Sequence, residues 1–457
     1  MSALALAAAV ALHGPGIGVA RAQSLLSDAE TEKFLRDVNR AVLEAAGITP
    51  ESVNYYIVAD DNLNAFVALG QNIFVHTGLF TQTDNVGQVI GVMAHETGHI
   101  AGGHIARMSD GATAPTAISL ISMVLGVAAL AAGAGDAGMG IIAGGQQAAQ
   151  RAFLSYSRVQ EASADQAGAA YLEEIGQSGR GMLETFRKFS TQEYLIGIPQ
   201  DPYVRSHPLS GDRVARLERI VTSSPYYDKP FDPAFEIAYE RIKAKIRGFM
   251  DKPETTLSRF PASNQSVPAR YARAYAYHKA VKIDEALAEI DSLIVEQPKD
   301  PFFLELKGQL LLENGRVRTA LDPLRTAVDL APDEPQIRTL LGRALVATED
   351  QALTDEAIEQ LKLAAHQDPG SPFTWHQLGV AYHNRGDEGM ASLASAERAA
   401  LSGDFMALMG NAKRASEILE TGTPAWLRAQ DLLVLAESRR GDFERAQRRR
   451  QLEPATN

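Results

Sequence analysis

The sequence has 457 residues, 45% of them hydrophobic and 22% charged, which is the balance of a globular protein with two or three domains. The formal net charge of -12 argues against nucleic acid as a partner. The chain has no cysteine, which excludes disulfides, thiolate metal sites and cysteine nucleophiles.

The first 22 residues have the pattern of a signal peptide. The apolar run from Ala3 to Leu12 is far too short to span a bilayer, and Ala20-Arg21-Ala22 offers small residues at the two positions that a signal peptidase reads. No Lys or Arg precedes this run, so an N-terminal apolar helix that packs on the fold stays as the alternative. We expect residues 1–22 to be removed on export.

The next hundred residues predict a helix, a small sheet and a second helix. Leu25 to Ala46 carry apolar residues at helical spacing. Three runs rich in β-branched and aromatic residues follow, at 53–58, 65–69 and 73–77, and polar turns separate them. We interpret these runs as a small antiparallel sheet. From about Asn85 the pattern becomes that of a buried helix.

The stretch from Gly111 to Gly135 has no charged residue and is long enough to cross a membrane. Pro115 and several Ser and Thr residues argue against a spanning helix. We predict that residues 111–145 form a hairpin that shields the functional site, with peripheral membrane contact as a further expectation. An integral membrane protein that spans the bilayer with this stretch is the alternative.

Helical patterns resume near Gln147 and continue to about Leu217, and another helix is predicted from Pro233 to Met250. Proline and serine residues then indicate a linker over 251–267. Beyond it, Pro298 and Pro332 end units 34 residues apart, and Pro369 ends a longer one. This period is that of the tetratricopeptide repeat. A generic helical bundle is the alternative.

The predicted fold is therefore α+β. A mostly helical domain with a small antiparallel sheet occupies residues 23–250, and an all-α tetratricopeptide solenoid occupies residues 268–450.

His95-Glu96-Thr97-Gly98-His99 lies on the predicted buried helix. Two histidines four residues apart project from one helical face and can bind one ion, while Glu96 can hold the water on that ion and act as general base. By itself the pentapeptide is a weak signal. Its apolar surroundings strengthen the hypothesis, because two histidines and a glutamate are costly to bury unless they are paired or metal-bound.

The third ligand distinguishes the classes of zincin. Metzincins have a histidine six residues after the second one, but position 105 is isoleucine, and His104 misses that spacing by one. Glu161 offers another solution, as a ligand from a second helix. Asp165 follows one turn later on the same face and can accept the remaining N–H of a liganding histidine. A plain surface-charge role for Glu161 and Asp165 is the alternative.

These motifs, with Asn64-Ala65-Phe66 and the segment 73–79, resemble the HtpX/Oma-type gluzincin metalloproteases. The signal peptide and the repeats are similar to those of the periplasmic members of that family, and the resemblance spans nearly the whole mature chain. It implies one Zn²⁺ per chain and a location in the periplasm of a Gram-negative bacterium. It also implies cleavage of misfolded or stalled outer-membrane proteins, with repeats that bind clients or the assembly machinery.

The resemblance also covers Ser206-His207-Pro208-Leu209 and Arg213. It implies that His207 can coordinate the zinc and keep the enzyme latent. A neutral imidazole there could also donate to the oxyanion, and Arg213 could stabilise the same oxyanion. From residue types alone, an ordinary loop histidine is an equal alternative. The Ala/Gly-rich segment 112–149 departs from the family pattern, which leaves its role as lid or membrane contact open.

We thus predict a zinc endopeptidase in which Glu96 is the base and in which the sheet edge near Asn64 to Ala68 aligns an extended substrate as an added strand. The rival hypothesis is a periplasmic chaperone or scaffold whose zinc site is structural or latent.

Overall fold

The computed structural model describes residues 25–104, 158–196, 207 and 211–452, and for residues 189–196 and 439–452 it describes the backbone alone. Internal contacts divide this part of the chain into two compact units. The N-terminal unit runs to Pro261 and takes in Ser266–Ala272, and the C-terminal unit comprises Ala262–Gln265 and the chain from Arg273 onward. The predicted signal peptide and the predicted hairpin at 111–145 lie outside the described residues.

The N-terminal unit contains one four-stranded sheet and a set of helices. The strands are β1 (Leu25–Leu26), β2 (Asn54–Val58), β3 (Ala65–Ala68) and β4 (Asn72–His76). The helices are α1 (Ala29–Ala45), α2 (Thr77–Gln82), α3 (Val86–Ala101), α4 (158–174), α5 (Arg180–Ile196), α6 (Gly211–Ser223), α7 (Pro233–Met250) and α8 (Pro253–Arg259).

The mostly helical fold with a small sheet confirms the predicted class, but the sheet is mixed rather than antiparallel. Its strand order is β1-β2-β4-β3. The hairpin β3–β4 is antiparallel as predicted, whereas β2 pairs with β4 in parallel. The connection between β2 and β3 crosses the end of β4, where the Thr77 hydroxyl donates to the Asp60 carbonyl over 2.8 Å. Gly78 permits this crossing, because a Cβ atom there would lie 2.2 Å from the Asn62 carbonyl oxygen.

The first predicted helix begins later than expected. Leu25 and Leu26 pair with β2 as a short strand, and α1 begins only after Asp28. The Asp28 carboxylate accepts from the Thr31 N–H over 2.8 Å and so caps the helix. The prediction from helical spacing placed the start of the helix too early, because the apolar residues Leu25 and Leu26 also suit a strand.

The core of the N-terminal unit lies between the sheet and the helices. Alternate strand residues, such as Tyr55, Ile73 and Val75, face α1 and α3 and are buried. The opposite alternation leaves Tyr56, Phe66 and Phe74 on the outer face of the sheet.

The C-terminal unit consists of antiparallel helical hairpins, and its first helix begins in the N-terminal unit. The helices are α9 (Val267–Lys279), α10 (Ile283–Glu296), α11 (Pro301–Glu313), α12 (Val317–Leu330), α13 (Pro335–Ala347), α14 (Thr354–Gln367), α15 (Pro372–Arg385), α16 (Glu388–Ser402), α17 (Phe405–Ile418) and α18 (Pro424–Leu452). The stacked hairpins confirm the predicted tetratricopeptide solenoid.

Small residues let the two helices of a repeat approach each other. A Cβ atom on Gly308 would lie 2.4 Å from the Leu324 side chain, and one on Gly342 would lie 2.4 Å from Leu361. The predicted insertion near Glu349 to Asp355 forms a short 3₁₀ turn, Gln351–Leu353, before α14. Among the described residues, no helix combines the length and the apolar character needed to cross a membrane.

Candidate metal centre

Helices α3 and α4 lie in backbone contact at the centre of the N-terminal unit. A Cβ atom on Gly98 would lie 2.7 Å from the Ala164 carbonyl oxygen, and one on Gly168 would lie 2.8 Å from the Ala94 carbonyl oxygen. Only glycine fits at either position without separating the helices. This approach brings the side chains of one helix within reach of those on the other.

Four buried side chains converge where α3 and α4 meet. Each offers one possible ligand atom, and all four atoms lie within 4.8 Å of one another; the residues are His95, His99, Glu161 and His207. We call this set the ligand cluster. Nε2 of His95 and Nε2 of His99 are 3.1 Å apart, and each lies 3.4 Å from a Glu161 oxygen. The spacing that pointed to His95, His99 and Glu161 therefore places them around one point.

Asp165 lies behind His95, on the side away from the cluster. Its Oδ1 atom is 2.9 Å from Nδ1 of His95, which leaves Nε2 of that imidazole directed at Glu161. The Arg213 guanidinium donates to both Asp165 oxygens over 2.8 Å, and its Nη1 atom lies 3.2 Å from Glu161. Arg213 is 4% exposed and also lies over the Phe186 ring. These contacts engage three guanidinium nitrogens with carboxylates, so the predicted oxyanion role would require Arg213 to release one of them.

His104 is a neighbour of the cluster that sequence reasoning considered only as a ligand. Its Nδ1 atom lies 2.9 Å from Nδ1 of His99, and the side chain is buried. When Nε2 of His99 serves as a ligand, its Nδ1 carries the proton and donates to His104. Gly102 makes room for this ring, because a Cβ atom there would lie 2.4 Å from it. The sequence did offer a signal for this role: His104 follows a glycine turn at the end of α3, the helix that carries His95 and His99.

Glu96 is fully buried beside the cluster. Neither carboxylate oxygen makes a hydrogen bond of normal geometry with a described residue, and Nε2 of His207 lies 3.5 Å from Oε1. Burial raises the pKa of Glu96, although His207, His95 and the main-chain N–H of Val67 lower it in part. A carboxylate buried without such partners fits a site that binds a water or another polar group.

The carboxylates govern the protonation of the ligand cluster. Burial opposes the charge on Glu161, but His207, His95 and His99 outweigh it and hold the pKa of Glu161 well below its usual range. Burial also lowers the pKa of His95, but Asp165 and Glu161 raise it to about 10, whereas the pKa of His99 falls to about 3 mainly through burial. Burial likewise lowers the pKa of His207, but Glu161 and Glu96 outweigh it and raise that pKa above its usual value. The negative charges thus favour protons on His95 and His207, and a bound cation would supply positive charge in their place.

His207 connects the cluster to strand β3. Its Nδ1 atom lies 3.1 Å from Glu161 and 3.2 Å from Nε2 of His95, while Nε2 lies 3.2 Å from the Ala65 carbonyl oxygen. The ring is 4% exposed. One imidazole therefore contacts a ligand carboxylate through one nitrogen and a strand carbonyl through the other. The remainder of the predicted motif, Ser206, Pro208 and Leu209, lies outside the described residues.

Comparison with known proteins agrees with this geometry. The chain matches Peptidase family M48 over residues 29–221, a range that contains the whole cluster, Glu96, Asp165 and Arg213. This domain belongs to Peptidase family M48. The M48 domain is thus a metalloprotease domain, as the pentapeptide and Glu161 predicted.

Two relatives and one solved structure resemble the chain over different lengths. The Beta-barrel assembly-enhancing protease of Yersinia pestis is 25% identical over 406 residues, which cover 87% of this chain and 82% of that protein. Metalloprotease YcaL of Escherichia coli is 29% identical over 192 residues, which cover 42% of this chain and 70% of that protein. The solved structure of YrrB, a TPR protein, covers 50% of this chain and 99% of that one at 18% identity and a TM-score of 0.29.

Proposed function

We propose that this protein is a zinc-dependent endopeptidase of the Gram-negative periplasm that cleaves misfolded or stalled outer-membrane proteins. The observation that carries the proposal is the buried ligand cluster with Glu96 beside it. The name of the Yersinia pestis relative, which shares most of the chain, supports β-barrel assembly as the process.

Zinc suits the donor set of the cluster. Three imidazoles and one carboxylate match the nitrogen and oxygen ligands of Zn²⁺, whereas Mg²⁺ and Ca²⁺ prefer sets made of oxygen alone. We assign one ion per chain to His95, His99 and Glu161. Such an ion supplies a Lewis acid that activates water and polarises a peptide carbonyl.

Glu96 is the general base in this proposal. Its carboxylate takes a proton from the attacking water and then delivers it to the nitrogen of the departing amine. Burial raises the pKa of Glu96, which suits a group that must both accept and release a proton. Its oxygens are not committed to hydrogen bonds of normal geometry with described residues, so they are available for this exchange.

Asp165 and Arg213 hold the ligands in place. Asp165 lies 2.9 Å from Nδ1 of His95, close enough to accept its proton and so to fix the tautomer that presents Nε2 to the ion. Arg213 balances the charge of Asp165 and Glu161 in a setting where two unpaired carboxylates would be costly. We therefore propose a positioning role for Arg213 in place of direct contact with the oxyanion.

His207 keeps the enzyme latent in this proposal. Nδ1 of His207 lies close enough to the other cluster members to serve as a fourth ligand. Nε2 at the same time donates to the Ala65 carbonyl of β3. A substrate strand that pairs with β3 needs that carbonyl, so its binding would displace His207. Release of His207 from the metal site and binding of the substrate strand would therefore occur together.

The class of client is inferred from the pairing of an extended substrate with β3 and from the names of the relatives. An unfolded β-barrel protein offers extended segments that can pair with a strand edge. We propose that the repeats hold such clients or the assembly machinery, since a tetratricopeptide array presents an extended surface.

The test compares three zinc-loaded proteins: wild type, Glu96→Gln and the exposed control Glu173→Gln. Zinc content and cleavage of an unfolded outer-membrane protein are measured on the same samples. We expect one zinc per chain in all three and cleavage by wild type and the control alone. Equal cleavage by Glu96→Gln would refute the mechanism. Prevention of client aggregation by all three proteins, without cleavage by any, would favour the chaperone hypothesis.

A further inference from the structure

We infer that Phe66 forms a substrate subsite that selects an aromatic or large aliphatic residue within two positions of the cleaved bond. The inference rests on the proposed function, since it assumes that a client segment pairs with β3. It adds what that function leaves open, which is the chemical class of side chain that the enzyme prefers.

Three aromatic rings cross the outer face of the sheet in a row. Tyr56 on β2 pairs with Phe74 on β4, and Phe74 pairs with Phe66 on β3. The ring centroids are 5.1 Å apart at both steps, with planes inclined by 21° and 9°. The row runs perpendicular to the strands and ends on β3, which is the outermost strand of the described sheet on that side.

The free side of β3 presents its main chain to the ligand cluster. The Asn64 carbonyl accepts from the His76 N–H over 3.0 Å, so the main-chain groups of residues 64, 66 and 68 point toward β4. Those of Ala65 and Val67 therefore point away from it. The Ala65 carbonyl faces His207, and the Val67 N–H lies near Glu96, as this alternation requires.

A strand added to this side would extend the aromatic row. Its hydrogen bonds would be made with Ala65 and Val67, so the residue opposite Phe66 would occupy a non-hydrogen-bonded pair. The Cα atoms of such a pair lie about 4.5 Å apart and their side chains share one face. Phe66 already has Phe74 stacked on its inner side and the His76 ring edge-on at 6.1 Å. A ring from the substrate would stack on the remaining side.

The same register places the substrate residue opposite Phe66 close to the catalytic groups. Its two neighbours on the added strand lie opposite Ala65 and Val67, the positions beside His207 and Glu96. The bond that Glu96 acts on is therefore within two residues of the one opposite Phe66. Strands of transmembrane β-barrels carry apolar and aromatic side chains at every second position, so unfolded clients of that class supply suitable residues.

The experiment starts from a cleavage site that the zinc-loaded full chain makes in an unfolded β-barrel protein, located by mass spectrometry. Peptides of that site carry Phe or Ala at each position within two residues of the cleaved bond. We expect one position at which Phe raises kcat/KM about fivefold over Ala, the scale of one aromatic cross-strand pair. Phe66→Ala should abolish that preference, so that the ratio of kcat/KM for the Phe and Ala peptides falls to about one.

Tyr56→Ala is the matched control, because it shortens the same row at the end remote from the substrate and should keep the preference. Phe66→Leu tests the subsite if Phe66→Ala does not fold, and it should remove the preference for Phe over Ala, because leucine offers no ring on which a substrate ring can stack. A preference that survives in Phe66→Ala or Phe66→Leu, or no preference at any position, would overturn the inference. Wild-type cleavage no greater than that by Glu96→Gln would instead overturn the proposed function itself.

Discussion

Gly98→Ala tests how closely α3 and α4 must approach for the ligand cluster to form. The added Cβ atom would lie 2.7 Å from the Ala164 carbonyl oxygen, and normal contact begins at 3.4 Å, so the helices must separate by about 0.7 Å. The three atoms nearest the new methyl group all belong to the Ala164 backbone, so no side-chain rotation can relieve the clash.

Two free energies compete in the folding of this variant. Overpacking costs about 1–3 kcal/mol, and replacing glycine by alanine within a helix returns about 1 kcal/mol. The net destabilisation is therefore small, about 0–2 kcal/mol. Metal binding is more sensitive, because ligand distances must hold to about 0.2 Å and Glu161 lies on the helix that moves. We expect at least about a tenfold loss of zinc affinity.

Zinc affinity is measured by competition with a chromogenic chelator, and stability by urea unfolding of the metal-free protein. Gly410→Ala is the control, because that glycine lies within α17 with nothing within 4 Å of the added atom. It should leave zinc affinity unchanged and stability equal or slightly raised. Wild-type zinc affinity in Gly98→Ala would show that the close approach does not position Glu161.

Three further predictions concern the surroundings of the cluster. Arg213→Met should destabilise the metal-free protein by about 3–5 kcal/mol in urea unfolding, because two buried carboxylates lose their guanidinium partner. Arg187→Met, which breaks an exposed ion pair, should change stability little. Equal urea midpoints for the two variants would contradict the argument. His104→Ala should weaken zinc binding about 10- to 100-fold in chelator competition, with partial recovery in His104→Gln. Unaltered zinc affinity in His104→Ala would show that His104 does not position His99. Chelation of the metal should abolish cleavage. It should also lower the free energy of unfolding of the M48 domain, by about 4 kcal/mol if free zinc had stood at a thousand times its Kd. An unchanged urea midpoint would mean that the cluster binds no metal.

The parts of the site that follow from local spacing were accessible from the sequence. His95 and His99 share a helical face by their separation, and Asp165 follows Glu161 by one turn. The structure brings these four side chains together. The repeats were accessible for a similar reason, since Pro298 and Pro332 mark a regular period.

Features set by long-range contacts were not accessible in this way. Alternation predicts which residues are strands and which face is buried, but it does not predict the parallel pairing of β2 with β4. The contact of Asp60 with Thr77 at the end of these strands joins residues 17 positions apart. The contact of Arg213 with Asp165 joins residues 48 positions apart, and that of His207 with Ala65 spans 142. No local pattern encodes either distance, and only the family resemblance indicated a role for His207.

The hydrogen bond between His207 and the Ala65 carbonyl also bears on solubility. An unpaired strand edge is a template on which chains of the same protein can associate. Strand β3 has only four residues, and His207 occupies one of its outward-facing acceptors. Removing His207 would therefore expose this edge to other copies of the protein as well as to clients. Toxicity or precipitation of such a variant would have two physical sources, uncontrolled cleavage and self-association, and adding the Glu96→Gln substitution would remove only the first.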